Sequence, residues 1–207
     1  VFYTFAGYAL ILYVAVKIRE ALRPRTAPAD PDPWPEVTLL IAAYNEEDIV
    51  DEKMRNCLEQ DYPAQRLHIV WITDGSNDGT NARLAAWPQA EVLFQPERQG
   101  KTAALNRAFG LLSTPYVVCT DANTMLNPEA VREMIRLFSD PQVGCVAGEK
   151  RVSIPDGANA AATEGVYWKY ESKLKEWDDR LHSACGAAGE LFAVRRALYR
   201  PVEEDTL

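Results

Sequence analysis

From residue 37 onward the sequence predicts an α/β domain with a mainly parallel sheet and helices on both faces. Three observations support this: short continuous apolar runs, segments with helical spacing between them, and a polar cluster after each run. Strands buried on both faces are apolar throughout, and strand–helix alternation of this kind builds right-handed crossovers. A transmembrane helix is predicted to precede the domain.

The transmembrane helix is predicted over residues 1–18. Residues 1–16 carry no charge and would rise about 24 Å as a helix, so we expect further apolar residues upstream to complete the span. Lys17, Arg19 and Arg23 follow, which places the next domain in the cytoplasm, at the cell (inner) membrane. A buried core helix and a signal peptide are the alternatives.

Residues 19–36 are predicted to be a basic, proline-rich linker. Five of the thirteen residues from 24 to 36 are prolines, which excludes a helix interior or a central strand and indicates an extended tether. The α/β domain is predicted to occupy residues 37–207 and to be truncated at its carboxyl end.

The elements of this domain follow from the period of the apolar residues. Strands are predicted over residues 37–43, 67–73, 91–94, 116–120 and 143–149. Helices are predicted over residues 46–60, 80–87, 101–113, 128–139 and 160–180. The last helix is interpreted as an amphipathic helix that docks on the sheet, with a platform of aromatic rings for sugars as the alternative.

Charge and cysteine content narrow the function. The formal net charge of −8 argues against a nucleic-acid-binding protein, because such proteins usually present a basic face. The cysteines are widely separated, without a CxxC pair, and so predict reduced thiols instead of a zinc site or a disulfide framework. They are Cys57, Cys119, Cys145 and Cys185.

A polar segment follows each of the first four predicted strands. These segments are residues 44–47, 74–79, 97–101 and 121–123. Each one alone is also explained by a solvated loop or a helix cap, for which Asn45 and Asp78 are suitable. Because the carboxyl ends of parallel strands share one edge of the sheet, where open α/β folds bind ligands, the four together predict a site.

Several common sites are excluded by their missing residues. Gly100-Lys101-Thr102 resembles the end of a P-loop, but Gln95 stands where that motif requires its first glycine. No GxGxxG follows a strand, and no GxSxG is present, so a dinucleotide site and a serine hydrolase are excluded as well.

Asp121-Ala122-Asn123 is the candidate metal motif. In an extended segment the side chains of Asp121 and Asn123 point to the same side. A carboxylate and a carboxamide suit Mg²⁺ or Mn²⁺, with phosphate oxygens completing the coordination shell. Lys101 is a suitable cation for the same phosphates.

Four ordered motifs resemble a known family. The motifs AAYNEE (42–47), TDGSNDGT (73–80), RQGKTAALNRA (98–108) and TDANT (120–124) resemble those of the processive family 2 glycosyltransferases. These membrane enzymes have the GT-A fold and include synthases of cellulose, hyaluronan, chitin and poly-N-acetylglucosamine. The resemblance covers residues 37–200 and implies a nucleotide-diphospho-sugar transferase, with a lipid bilayer among its partners.

The resemblance also implies roles for individual residues. It assigns the uracil and ribose of a UDP-sugar to Tyr44 and Glu46, the uridine to Asp74, and the diphosphate to Lys101. Asp121 and Asn123 occupy the position of the motif that contacts the nucleotide and its metal. Cys185 and Gly186 match the segment on the acceptor side, for which a tight turn before a strand is the alternative.

The reaction implied is inverting transfer of glucose or N-acetylglucosamine from a UDP-sugar to a growing polysaccharide or a glycolipid. The catalytic base of such enzymes is a carboxylate that we expect just beyond Leu207, so this chain is predicted to hold the donor site without the base. A nucleotidyltransferase and a non-catalytic membrane protein that binds nucleotides or acts as a scaffold are the alternatives.

Overall fold

The computed structural model describes residues 7–24, 27–149, 159–183 and 189–203. The chain divides into two compact units. The larger consists of Pro28–Gly148 with Ala188–Leu207, and the smaller of Val1–Ala27 with Glu149–Ala187.

The larger unit is the predicted α/β domain. Its strands are β1 (Val37–Ala43), β2 (Leu67–Asp74), β3 (Ala90–Gln95), β4 (Tyr116–Asp121), β5 (Cys145–Ala147) and β6 (Leu191–Arg195). Its helices are α2 (Val50–Leu58), α3 (Thr80–Leu84), α4 (Lys101–Leu111) and α5 (Ala130–Leu137), and the smaller unit contains α1 (Tyr8–Leu22) and α6 (Asn159–Leu181). Short 3-10 helices lie at Ala64–Arg66 and Arg196–Leu198.

The six strands form one sheet in the order β3-β2-β1-β4-β6-β5. The first four strands in this order are parallel, whereas β6 runs antiparallel to both β4 and β5. The prediction of a mainly parallel sheet is therefore confirmed. The predicted fifth strand, 143–149, is wrong in length, because only Cys145–Ala147 pair with β6 at the edge of the sheet.

Helices cover both faces of the sheet, as predicted. Alternate residues of β1 point to opposite faces, so that Leu39 and Ile41 pack into a core with α2 and α5, while Leu40 packs on the other side with α4. All three side chains are fully buried. The continuous apolar run in β1 thus reflects a strand with a core on each side.

The first helix of the domain begins later than its apolar spacing predicts. The backbone N–H groups of Asn45, Glu46 and Glu47 donate to side chains of residues 76–80. These donors are therefore satisfied across the sheet edge instead of within a helix, and α2 begins at Val50.

The leading segment, residues 28–36, is attached to α5. Asp30 forms ion pairs with Arg132 at 2.7 Å and with Arg136 at 2.8 Å. The Tyr62 hydroxyl donates to the carbonyl of Pro35 at 2.8 Å, and the ring of Trp34 packs edge-on against that of Tyr62. The segment is therefore part of the larger unit and not separate from it.

The smaller unit brings α1 and α6 together. The Tyr8 hydroxyl donates to Asp178 at 2.7 Å, and the rings of Tyr13 and Trp177 lie 5.4 Å apart. Within the part of the chain that the structure describes, no helix has the length and apolar character needed to cross a bilayer. The transmembrane helix over residues 1–18 stays a prediction, as does the linker over 19–36.

The described cysteines are free thiols. Cys57 and Cys119 are buried and Cys145 is exposed. Burial raises the pKa of Cys57 to about 11 and also raises that of Cys119, which disfavours the thiolate form that a nucleophile requires.

Candidate donor site

A cleft of about 210 Å³ opens at the carboxyl ends of the parallel strands. All four polar segments contribute to its wall. Its polar lining consists of Tyr44, Glu46, Asp74, Arg98, Lys101, Asp121 and Asn123, and its apolar lining of Ala42, Ala43, Ile72 and Ala104 together with Gly100. The structure therefore brings together every predicted donor-site and metal residue.

The first two polar segments hold each other in place. The side-chain amide of Asn45 donates to Asn77 at 2.9 Å, and its oxygen accepts from the backbone N–H of Asn77. Asp78 accepts from the backbone N–H groups of Thr80 and Glu47. Gly79 is the N-cap residue of α3, so Asp78 lies one residue before the cap, where it connects the two loops.

Asp74 fastens the third segment to the end of β2. The residue is 5% exposed, and its Oδ2 accepts from the backbone N–H groups of Gln99 at 2.9 Å and Gly100 at 2.7 Å. Gly100 precedes α4, so Asp74 fixes the point at which that helix begins. One carboxylate oxygen is therefore occupied by the protein itself.

The second oxygen of Asp74 has a different environment. Oδ1 lies 3.6 Å from the guanidinium of Arg107, too far for a hydrogen bond, and is buried without any hydrogen-bond partner among the described residues. Both terminal nitrogens of Arg107 are likewise buried and unbonded in the described structure. Asp74 lines the cleft and Arg107 does not, so the guanidinium supports the carboxylate from within the domain.

Gly75 allows the third segment to approach β2. Its φ is +71°, and a Cβ placed there would lie 2.7 Å from the backbone nitrogen of Arg98. We expect Gly75→Ala to lower the free energy of unfolding by about 2 kcal/mol or more, since it adds both left-handed strain and a backbone clash. Urea unfolding measures the loss.

Gly110→Ala is the matched control for this substitution. Gly110 lies in α4, and a Cβ there meets nothing within 4 Å. Alanine at that position should leave stability unchanged or raise it by up to about 1 kcal/mol, because it is the better helix former. A Gly75→Ala protein as stable as wild type would contradict the close approach.

Tyr44 and Arg98 form one wall of the cleft. The Arg98 guanidinium lies 3.8 Å from the centroid of the Tyr44 ring, which is the separation of a stacked cation–π contact. Both are exposed. Aromatic and guanidinium planes are the groups on which nucleobases stack in proteins.

Lys101, Asp121 and Asn123 also line the cleft. Lys101 Nζ donates to Asp121 Oδ1 at 2.5 Å and to the carbonyl of Gly189 at 3.2 Å. The pKa of Glu46 is raised, chiefly by partial burial and then by the charges of Asp121 and Asp78. These carboxylates therefore disfavour one another, and a cation in the cleft would relieve their repulsion.

The oxygen donors fit a divalent cation that is shared with a ligand. Among the described residues, no group of three His, Cys, Asp or Glu side chains could hold a metal by itself. Mg²⁺ and similar ions are usually bound by one or two protein oxygens together with substrate phosphates. Asp121 and Asn123 could supply that share.

The site predicted from the sequence and the site in the structure differ in four residues. Cys185 and Gly186 lie outside the described residues, so their place on the acceptor side stays a prediction. Two cations of the site were assigned no role from the sequence: Arg98, which stacks on Tyr44, and Arg107, beside Asp74. Both residues belong to the motif at residues 98–108. Their roles depend on which face of α4, and of the loop before it, lies against β2, and only the fold shows this.

The family profile described as "Glycosyl transferase family 2" matches residues 38–202. The chain belongs to this glycosyltransferase family. The match covers all four polar segments and the complete sheet except the first residue of β1. The GT-A-like arrangement of a mostly parallel sheet with flanking helices is confirmed.

The similarity to an individual relative is consistent with this family assignment. The chain is 34% identical over 120 residues to a poly-beta-1,6-N-acetyl-D-glucosamine synthase of Staphylococcus aureus, an alignment that covers 56% of this chain and 29% of the relative. The chain thus matches less than a third of the length of that relative.

Two solved structures share the fold. A mannosyltransferase from Pyrobaculum calidifontis in complex with GDP-Man and Mn²⁺ superposes with a TM-score of 0.76 at 28% identity, over 95% of this chain and 54% of that one. A glucosyl-3-phosphoglycerate synthase from Mycobacterium tuberculosis in complex with UDP superposes with a TM-score of 0.55 at 19% identity, over 84% and 63%.

Proposed function

We propose that this family 2 glycosyltransferase transfers a sugar, glucose or N-acetylglucosamine, from a UDP-sugar to a growing polysaccharide or a glycolipid, with inversion at the anomeric carbon. The observation that supports this most directly is the convergence of Asp74, Lys101, Asp121 and Asn123 on one cleft. An aromatic wall, a buried acceptor, a cation and two metal-binding oxygens are the groups that a nucleotide diphosphate requires.

The base end of the cleft suits uracil. Asp74 lines this end of the cleft and is the acceptor proposed for the imide N–H of uracil, with Arg107 behind it holding the carboxylate in place. The ring can stack against Tyr44 or Arg98. Because Oδ2 already accepts two backbone N–H groups, the carboxylate retains one oxygen for a base, which favours a single imide N–H over the adjacent N–H and NH₂ donors of guanine.

At the diphosphate end of the cleft, Lys101 and the oxygens of Asp121 and Asn123 would lie next to the leaving group. A divalent ion, Mg²⁺ or Mn²⁺, would be held by Asp121, Asn123 and the diphosphate, and would offset the charge that develops on the departing UDP. Lys101, which pairs with Asp121 in this structure, would then pair with the negative charge on the departing UDP.

The acceptor step follows from the chemistry of inversion. An acceptor hydroxyl attacks the anomeric carbon from the face opposite UDP, the bond to the diphosphate oxygen breaks, and the hydroxyl proton passes to a carboxylate. We propose that this base follows Leu207 and that Cys185 and Gly186 lie near the acceptor. The matched relative is a synthase of an N-acetyl-D-glucosamine polymer, which supports a polysaccharide acceptor.

We further propose that residues 1–18 anchor the protein in the cell membrane, with the catalytic domain in the cytoplasm. Several apolar side chains of α1 are more than half exposed, among them Leu10, Ile11 and Ile18. Arg19 and Arg23 follow in the sequence, on the side that the positive-inside rule assigns to the cytoplasm.

Calorimetric titration of the full chain with UDP, with and without Mn²⁺, tests the donor site. We expect saturable binding of UDP that Mn²⁺ strengthens by about 100-fold, because the ion would be held by protein and diphosphate oxygens together. GDP titrated under the same conditions should bind more weakly. A folded protein that binds no UDP in either condition would refute the proposal, and tighter binding of GDP would replace uracil by guanine.

A further inference from the structure

Two charged side chains are buried among the described residues, Asp74 and Lys53. Lys53 lies on the core face of α2, next to the apolar residues Val50, Met54 and Cys57, and is fully buried. Burial lowers its pKa to about 8, which reflects the cost of removing an ammonium group from water. An apolar side chain would fill the same position without that cost.

The contacts of the ammonium group explain its position. Nζ donates to the backbone carbonyl of Thr124 and lies 3.3 Å from the hydroxyl of Thr120. Thr120 immediately precedes Asp121-Ala122-Asn123, and Thr124 immediately follows it. Lys53 therefore holds both ends of the segment that contains the proposed metal ligands.

The segment itself is a tight turn. The backbone N–H of Thr124 donates to the carbonyl of Asp121 at 3.2 Å, which closes the turn above the lysine. No described carboxylate forms an ion pair with Lys53, although the charge of Asp121 is close enough to favour the ammonium form. The positive charge is thus directed at this turn from inside the domain.

We propose that Lys53 is a positioning residue of the donor site, one that fixes the turn so that Asp121 and Asn123 face the cleft together and offsets their charge from behind. The inference rests on the proposed function, since it assumes that these two residues bind a divalent ion with the diphosphate. Residues that orient metal ligands without touching the metal typically change metal affinity by about 10- to 100-fold when replaced.

A second polar residue of α2, Asn56, binds the chain beyond this turn. Asn56 both donates to the carbonyl of Leu126 and accepts from its N–H, at 2.7 and 2.8 Å. These bonds lie three residues beyond Asn123 and therefore secure the connection to α5 without contacting the turn. Asn56 provides a matched control on the same helix.

Lys53→Met in the full chain tests the proposal. Methionine keeps much of the volume and removes the cost of burying the charge, but it leaves the Thr124 carbonyl without its donor, so the two effects oppose each other and the urea midpoint should stay close to that of wild type. Calorimetry should show that the strengthening of UDP binding by Mn²⁺ falls about tenfold. The electron paramagnetic resonance signal of Mn²⁺ in the presence of UDP should report weaker binding of the ion.

Asn56→Ala should give the opposite pattern. It removes two hydrogen bonds and leaves the N–H of Leu126 without its partner, which should lower the midpoint of urea unfolding. The effect of Mn²⁺ on UDP binding should stay within about twofold of wild type, because the Asp121 turn keeps its contacts with Lys53.

The outcomes separate this inference from the proposed function. If wild-type protein fails to bind UDP with Mn²⁺, the proposed function fails. If wild type binds and Lys53→Met responds to Mn²⁺ as wild type does, only the role of Lys53 is refuted. Loss of the folded state in both Lys53→Met and Lys53→Gln would also refute it, since Lys53 would then serve stability.

Discussion

Asp121→Ala is expected to abolish the strengthening of UDP binding by Mn²⁺ and to weaken binding in the presence of the ion by about 100-fold, the upper part of the range for disrupted metal sites. The substitution removes the carboxylate that is proposed to coordinate the ion and also frees Lys101 from its ion pair. Calorimetric titration with UDP, with and without Mn²⁺, measures the effect.

Residual affinity in this variant should be independent of Mn²⁺, because Lys101 can still pair with the diphosphate. Glu59→Ala is the matched control, since it removes one negative charge from an exposed position that does not line the cleft. Its binding should equal that of wild type. An Asp121→Ala protein that still responds to Mn²⁺ would remove Asp121 from the metal site.

Asp74→Ala is expected to lower the free energy of unfolding by about 3 kcal/mol and to eliminate detectable UDP binding. The loss leaves the guanidinium of Arg107 largely buried without a partner charge, and removes the acceptor of two backbone N–H groups. Urea unfolding followed by circular dichroism measures the stability.

The double variant Asp74→Ala with Arg107→Met separates the two contributions. Removing the unpaired charge should restore part of the lost stability, whereas UDP binding should remain absent because the acceptor for the base is still missing. If UDP binding returned together with stability, Asp74 would act only through the fold, and the proposed contact with the base would be wrong.

The sheet could be predicted from the sequence where its strands are buried on both faces. The runs at 37–43 and 116–120 are apolar except for one threonine each, and the structure places them as the adjacent strands β1 and β4. The antiparallel strand β6 (Leu191–Arg195) begins with four apolar residues, but only Ala193 is fully buried, and nothing in this run gives its direction or its neighbours. Its pairing depends on tertiary contacts that no local pattern records.

The residues of the site likewise fall into those that the sequence could place and those that it could not. Asp74 and Asp121 end strands, so the direction of the parallel sheet alone is enough to place them at one edge. Lys53 and Arg107 lie within helices, where their roles depend on how each helix is rotated against the sheet. Periodicity assigns Lys53 to the buried face of α2, but a lysine there is ordinarily assumed to reach solvent.

The attachment of Asp30, Trp34 and Pro35 to α5 and Tyr62 has a practical consequence for isolating the catalytic domain. A fragment that starts at Val37, where the first strand begins, would lack Asp30, the carboxylate that pairs with both Arg132 and Arg136. It would also expose the Tyr62 ring to solvent. The proline-rich stretch loses little conformational entropy on being ordered, so a few contacts are enough to hold it. An expression fragment should therefore begin at Pro28, ahead of the first strand.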